Sequence, residues 1–261
     1  MKKPNSANMK KFFLLMACTV LGLGSCTERP RPLEIDNALT AEEIAAGRFT
    51  PEVMWKMGRL GGSQLSPDGK WLVYTVTYYN LGENRGVTAL YLRDMASGEV
   101  RQLTDHTSNN TSPAWSADGR TLWFIAPMEG TYQLCRLALP APDATCGTVD
   151  LPKVVTSGDH DINAFTMAGG RIVAEVTTMR MATEQFEVDP ADGKLTQLSA
   201  VNKEIYDHIR LGTVEKRWVE TTDGKRMLTW VVLPPDFDPA KKYPTLLFCE
   251  GGPQSVVSQA W

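Results

Sequence analysis

Apolar residues along this chain follow three spacings in turn. From Phe12 to Leu23 they form one uncharged run of about 12 residues behind Lys2, Lys3, Lys10 and Lys11. Between Thr40 and Gly58 the spacing is helical. Thr40-Ala-Glu-Glu43 has the form of a capping box, in which the threonine hydroxyl accepts from a backbone N–H and the glutamate reaches back, so a short helix is expected to start there. Thr50-Pro51-Glu52 repeats the signal, with an N-cap residue, a proline in the first helical position and an acid in the first turn. Val53, Met54, Trp55 and Met57 then supply an apolar face expected to pack into a core before Gly58 ends the helix. After Gly62 the pattern changes to short alternating runs rich in Val, Tyr, Thr and Trp, broken by Asp-Gly and Ser-Gly pairs. That texture predicts antiparallel sheet with tight turns.

The runs repeat. Leu65-Ser-Pro-Asp-Gly-Lys-Trp-Leu-Val-Tyr74 matches Trp115-Ser-Ala-Asp-Gly-Arg-Thr-Leu-Trp-Phe124 at an offset of 50, and Ala168-Gly-Gly-Arg-Ile-Val173 is a weaker copy 51 further on. Separately, Ala96-Ser-Gly-Glu-Val-Arg-Gln-Leu-Thr104 matches Ala191-Asp-Gly-Lys-Leu-Thr-Gln-Leu-Ser199 at an offset of 95, close to twice the first period. A period of about 40 to 50 residues with four short strands per unit is the mark of β-propeller blades. Asp68 and Asp118 fall in the repeated turn, which assigns them structural rather than catalytic roles. Residues 63 to 210 hold three such units. Closed propellers need about 4 to 8 blades, so an open set should leave two unpaired edges and one uncovered face. Leu139 to Lys153, with three prolines and no repeat pattern, is expected to interrupt the third unit, and blades are expected to be missing from the middle.

Composition and charge narrow the function. The basic start followed by a short apolar run is an export signal, too short for the roughly 20 residues of a membrane-crossing helix. Removing residues 1 to 25 takes away four lysines and no acids, moving the formal charge from −3 to −7. A mildly acidic chain gives no reason to expect nucleic acid as a partner. No His or Cys cluster has metal-ligand spacing, so neither a metal nor another cofactor is expected. Leu23-Gly-Ser-Cys26 resembles the lipobox of bacterial lipoproteins. That resemblance implies a signal peptide over 1–25, lipid on Cys26 as the membrane anchor, a tether over 26–39 and residence in the bacterial cell envelope; a plain signal peptide or a single inner-membrane helix is the other reading. Cys135, Cys146 and Cys249 remain, an odd number, and a Cys135–Cys146 disulfide is left open.

Phe49-Thr-Pro-Glu-Val-Met-Trp-Lys-Met57 leading into Leu65-Ser-Pro-Asp-Gly-Lys70 resembles the start of the propeller in the prolyl-oligopeptidase family of serine peptidases. Val214-Glu-Lys-Arg-Trp218, Asp223-Gly-Lys-Arg-Met-Leu-Thr-Trp-Val-Val-Leu-Pro-Pro235 and Tyr243-Pro-Thr-Leu-Leu-Phe-Cys-Glu-Gly-Gly-Pro253 resemble the start of that family's α/β-hydrolase domain, in its dipeptidyl-peptidase and acylaminoacyl-peptidase-like branch. The resemblance covers most of residues 48 to 261. It implies a mainly β chain of partial β-propeller blades followed by the first strands of an α/β-hydrolase domain. Residues 40–212 would be helices and incomplete propeller, and 213–261 a truncated catalytic domain.

The activity implied is release of dipeptides or short acyl-peptides from oligopeptide N-termini, with peptides as substrates. Gly251, Gly252 and Pro253 would shape the oxyanion loop after a buried strand Leu246-Leu-Phe248, since two glycines let backbone N–H groups approach a developing oxyanion. The family pattern carries histidine where this chain has Glu250.

The Ser-Asp-His triad that such chemistry requires is not assignable. Gly61-Gly-Ser-Gln-Leu65 lacks the second glycine of a Gly-x-Ser-x-Gly elbow, which leaves Ser63 structural, and Ser255 and Ser258 follow the oxyanion motif. His106, His160 and His208 lie in or just beyond the blade-like sequence, where a lone histidine is usually a surface or packing residue. The 261 residues alone are therefore expected to be inactive, and an incomplete propeller with one hydrolase hairpin is expected not to melt cooperatively. A lipoprotein propeller used for binding or scaffolding is the alternative, which residues 214 to 261 argue against.

Overall fold

The computed structural model describes residues 31–35, 37–139, 151–249 and 257–260. Two short helices come first, α1 (Ala41–Ala46) and α2 (Pro51–Lys56). The Glu43 N–H donates to Thr40 Oγ1 at 3.2 Å while the Thr40 N–H donates to the Glu43 carboxylate at 2.7 Å, the reciprocal pair expected of the capping box. Thr50 caps α2 with its hydroxyl alone, accepting from the Val53 N–H at 3.3 Å, with Pro51 in the first turn.

Three antiparallel four-stranded sheets follow, each with its strands in sequence order. The first holds β1 (Arg59–Leu65), β2 (Trp71–Asn80), β3 (Arg85–Asp94) and β4 (Val100–Gln102). The second holds β5 (Thr111–Trp115), β6 (Thr121–Met128), β7 (Thr131–Ala138) and β8 (Lys153–Val154), and the third β9 (Asp161–Ala168), β10 (Arg171–Thr178), β11 (Met181–Val188) and β12 (Leu195–Gln197). After a single turn of helix, α3 (Lys203–Tyr206), a separate hairpin pairs β13 (Thr213–Glu220) with β14 (Arg226–Leu233). The chain is thus mainly β, and the sheets are propeller blades laid side by side.

The repeated motifs are the turns of these blades. Ser66 Oγ donates to Asp68 at 2.6 Å, and Asp68 and Ser66 in turn accept from the N–H groups of Lys70 and Trp71. Ser116, Asp118, Arg120 and Thr121 repeat the arrangement in the second blade. Gly69 and Gly119 take φ of +72° and +67°, the left-handed conformation that brings the next strand back in register. These hydrogen bonds hold Asp68 and Asp118 below the usual carboxylate range, the Ser66 and Ser116 hydroxyls contributing most.

A third repeated device escaped the sequence comparison. Thr104, Thr156 and Ser199, each just past the last strand of its blade, accept from the N–H of Leu90, Leu134 and Gln185 on the third strand. The outermost strand is so short that a side-chain hydroxyl finishes its ladder.

Two cores lie between blades. Val73, Leu90 and Leu92 of the first blade meet Leu122, Phe124 and Leu137 of the second. On the opposite face of the second blade, Trp123, Ile125 and Leu134 meet Ile162, Ile172 and Val176 of the third. The middle blade is apolar on both sides because both sides are covered, and its strands read as continuous hydrophobic runs.

Three expectations are corrected. The α2 face does not enter a core: Met54 and Met57 are exposed, and Trp55 stands edge-on to Tyr79 at 5.1 Å. A six-residue helix presents under two turns and leans on β2 with one side only. The proline-rich stretch after Leu139 joins β7 to β8, so it interrupts the second blade rather than the third, with 140–150 outside the described residues. Leu246-Leu-Phe248 forms no buried strand; the three residues are 98%, 84% and 83% exposed, and among the described residues no strand lies alongside to pair with them.

Candidate functional site

Cys26, Cys146, Glu250, Gly251, Gly252, Pro253 and Ser255 lie outside the described residues. What the structure places are the elements around the glycine-rich loop. β13 and β14 pair in full register over eight residues, so Lys216 lies directly across from Trp230. Lys216 Nζ sits 5.8 Å from the Trp230 ring centre and 3.2 Å from the carboxylate of Glu129, in the β6–β7 turn. Beside it, Gly130 fits close under the hairpin: a Cβ there would stand 2.2 Å from Leu228 Cδ2 and 3.5 Å from the Trp230 ring. The hairpin thus rests on the β6–β7 turn of the middle blade.

The segment 257–260, immediately downstream of the loop, is tied to both partners. Trp230 Nε1 donates to the Val257 carbonyl at 3.0 Å. Gln259 is 2% exposed, and its Oε1 accepts from the Met179 N–H, in the β10–β11 turn, at 3.2 Å. The downstream flank of Gly251-Gly252-Pro253 is therefore tied to the β13–β14 hairpin and to the β10–β11 turn of the third blade. Among the described residues, Gln259 Nε2 and Thr229 Oγ1 in the same region are buried without a partner. A burial of this kind is costly unless something is gained by it. Trp230 lies in the stretch that carries the family resemblance, whereas Glu129 and the contact of Gln259 with Met179, 80 residues away, carry no local signal.

None of the remaining candidates assembles into a nucleophile with its base. Ser63 is exposed on β1 across from Tyr74, and Ser258 is partly exposed. His106 follows β4, where Tyr91 Oη lies 3.3 Å from its Nε2 and Tyr78 packs edge-on against the ring. Burial pushes its pKa down, with Asp105 opposing. His160 is buried ahead of β9 and its pKa is likewise lowered by burial, against the pull of Asp161 and Asp159. His208 is exposed beyond α3. Among the described residues no histidine hydrogen-bonds a serine. Cys135 is buried in the first core, which pushes its thiol up to about 12, and Cys249 is exposed. Among the described residues no group of three or more His, Cys, Asp or Glu is placed to hold a metal ion, and no helix is long and apolar enough to cross a membrane.

No protein-family model matches the sequence. Dipeptidyl-peptidase 5 of Porphyromonas gingivalis is 34% identical over 199 residues, which is 76% of this chain and 28% of that protein. Dipeptidyl-peptidase 5 of Porphyromonas endodontalis is 32% identical over 253 residues, again 76% of this chain and 35% of its relative. The chain thus spans about a third of the curated relatives it matches. Among solved structures, an acylaminoacyl peptidase in complex with Z-Gly-Gly-Phe-chloromethyl ketone superposes at a TM-score of 0.56 with 18% identity, covering 74% of this chain and 28% of its own. AtxE2 isopeptidase superposes at 0.51 with 15% identity, covering 79% and 29%. At such identities the two superpositions speak to the fold.

Proposed function

We propose, from the premise that this chain belongs to the prolyl-oligopeptidase family, that it is the blade-bearing front part of an exported serine exopeptidase releasing dipeptides from oligopeptide N-termini. The observation that carries the reading is the 34% identity with a dipeptidyl-peptidase 5 over three quarters of the chain. The geometry around the loop supports it. Oxyanion stabilisation depends on donors held in place before charge develops, and the downstream flank of Gly251, Gly252 and Pro253 is held to the hairpin through Trp230 and to one blade turn through Gln259. In this reading residues 213–261 begin the hydrolase domain, peptide substrates pass between blades and hydrolase, and lipid on Cys26 holds the protein in the cell envelope.

The 261 residues contain no Gly-x-Ser-x-Gly elbow, so by themselves they bind no acyl group and turn nothing over. Two measurements test the proposal. The 261-residue chain assayed on dipeptidyl-coumarin amides should give no turnover above blank, and turnover sinks the claim of inactivity. The same residues joined to the catalytic remainder of the Porphyromonas gingivalis relative should release dipeptides; a folded fusion that releases none overturns the assignment. The anchor is tested by feeding labelled fatty acid to cells, where incorporation should vanish with Cys26→Ser.

A further inference from the structure

Two faces of the blade array have no blade against them, and each is finished in its own way. On the first blade the face turned away from the second carries Val76, Val87 and Ala89, all buried. Leu33, Glu34 and Gly58 lie against it. The buried Leu33 donates its N–H to the His106 carbonyl at 2.9 Å, and Asn80 Nδ2 donates to the Glu34 carbonyl at 2.9 Å. Gly58 lies so close that an added Cβ would stand 2.7 Å from Tyr78 and 2.9 Å from Val76. The Arg59 guanidinium stacks 4.6 Å from the Trp55 ring and 4.4 Å from that of Tyr79, which by alternation lies on the side of Val73 and Thr75, so this stack braces the end of β2 rather than its outer face.

The far face of the third blade has no such cover and is polar instead. Alternation along β9, β10 and β11 sends Ile162, Ile172, Ala174, Val176 and Val188 into the core. It leaves Asn163, Thr166, Glu175, Thr183 and Gln185 exposed on the other side. Arg171 and Glu187 pair across that face through two hydrogen bonds of 2.7 and 2.9 Å, and Asn163 reaches Thr183. A blade expecting a neighbour carries an apolar face there, as the second blade does on both sides. The outer edges are blunted as well, since β4, β8 and β12 are only 3, 2 and 3 residues long.

From these observations we infer that the three blades form an end-capped open array, stable without ring closure and without a further blade or second copy stacked on its end faces. Stacked-repeat proteins are soluble when their terminal units carry a polar outer face. Here Leu33, Glu34 and Gly58 cover one end and the polar side of the third blade caps the other. The array stands independently of the peptidase reading above.

Hydrogen exchange on the full chain in detergent micelles tests it. Amides of β9–β11 should be protected to the same order as those of β6 and β7, whatever the protein concentration. Exchange of the third blade as open chain, or protection that appears only on concentrating the sample, overturns the inference. The double variant Glu175→Val with Gln185→Val should keep its protection but self-associate at a concentration roughly tenfold below any at which the parent does. A variant that folds and stays as dispersed as the parent shows that the polar face is not the cap, and overturns the inference equally.

Discussion

The β6–β7 hairpin of the middle blade and the β13–β14 hairpin are built alike and end differently. Each pairs two eight-residue strands through an unbroken register, and β14, with Met227, Leu228, Trp230, Val231, Val232 and Leu233, is as apolar as β6. Yet β6 and β7 bury five residues apiece, and β13 and β14 bury none. The hydrogen-bond ladder is the same, so the ladder is not what separates them. The middle blade has a sheet on each face, whereas the hairpin touches the blades through one turn and the segment 257–260. Apolar content states what a strand would bury, and the neighbours it meets decide what it does bury.

The largest effect that tests this contrast is cavity formation. Phe124 is fully buried between the first two blades, so Phe124→Ala should cost about 3–5 kcal/mol in urea unfolding. Trp218→Ala in the hairpin removes a larger ring, but one 41% exposed, and should cost less than about 1 kcal/mol. Equal losses would break the comparison.

Glycines sharpen it next. Gly193, in the β11–β12 turn, has φ +75° and a virtual Cβ only 1.9 Å from the Val155 carbonyl of the second blade. Gly193→Ala combines left-handed strain with a clash against backbone and should cost about 3 kcal/mol. Gly224, in the hairpin turn, has nearly the same φ of +76° with nothing near its Cβ, so Gly224→Ala should show the conformational part alone, about 1 kcal/mol. Thermal melts of the two variants separate inter-blade contact from turn geometry.

Turn chemistry was the most legible layer of the molecule, for a local reason. Ser66-Pro-Asp-Gly69 and Ser116-Ala-Asp-Gly119 satisfy their own backbone within six residues, so neighbouring sequence is enough to read them. The hairpin turn has part of the device: the Thr221 hydroxyl donates to Asp223 and the Thr221 N–H donates to the Lys225 carbonyl. Burial was less legible. Met54 and Met57 sit at helical spacing on a helix too short to dock them, and Leu246 to Phe248 read as a buried strand but have no partner strand among the described residues. The polar end face of the third blade was readable in principle, because Asn163, Glu175, Gln185 and Glu187 alternate with buried positions. A search for similarity between repeats passes over it, since the face matters by differing from the other blades. Gln259 was out of reach, because its partner lies across the fold.

A smaller loss should follow from removing a hydroxyl. Thr156 is buried, accepts from the Leu134 N–H at 2.9 Å and donates to Gln133 Oε1 at 2.7 Å. Thr156→Val keeps the shape and orphans both groups, which should cost about 1–3 kcal/mol. Ser199 holds the equivalent place in the third blade, accepting from the Gln185 N–H while its own hydroxyl donates to the carboxylate of the buried Glu184, so Ser199→Ala should cost a similar amount because it strips a charged partner of its donor. Chemical denaturation of the pair therefore tests whether the hydroxyl is needed in both blades, and a loss below about 0.5 kcal/mol at either position would contradict that role.

The smallest effect concerns the contact between hairpin and blade itself. Lys216 and Glu129 are 3.2 Å apart, the lysine largely covered by Trp230 and the glutamate mostly in solvent. An ion pair with one exposed partner gains little Coulomb energy and loses side-chain freedom, so a double-mutant cycle with Lys216→Met and Glu129→Gln should give a coupling of about 0–1 kcal/mol that shrinks in added salt. If the hairpin were docked as firmly as one blade on another, the coupling would exceed about 2 kcal/mol and resist salt, because a pair shielded from water is poorly screened. A small, salt-sensitive coupling means instead that the Trp230 and Gln259 contacts, rather than charge, hold the hairpin and the loop flank to the blades.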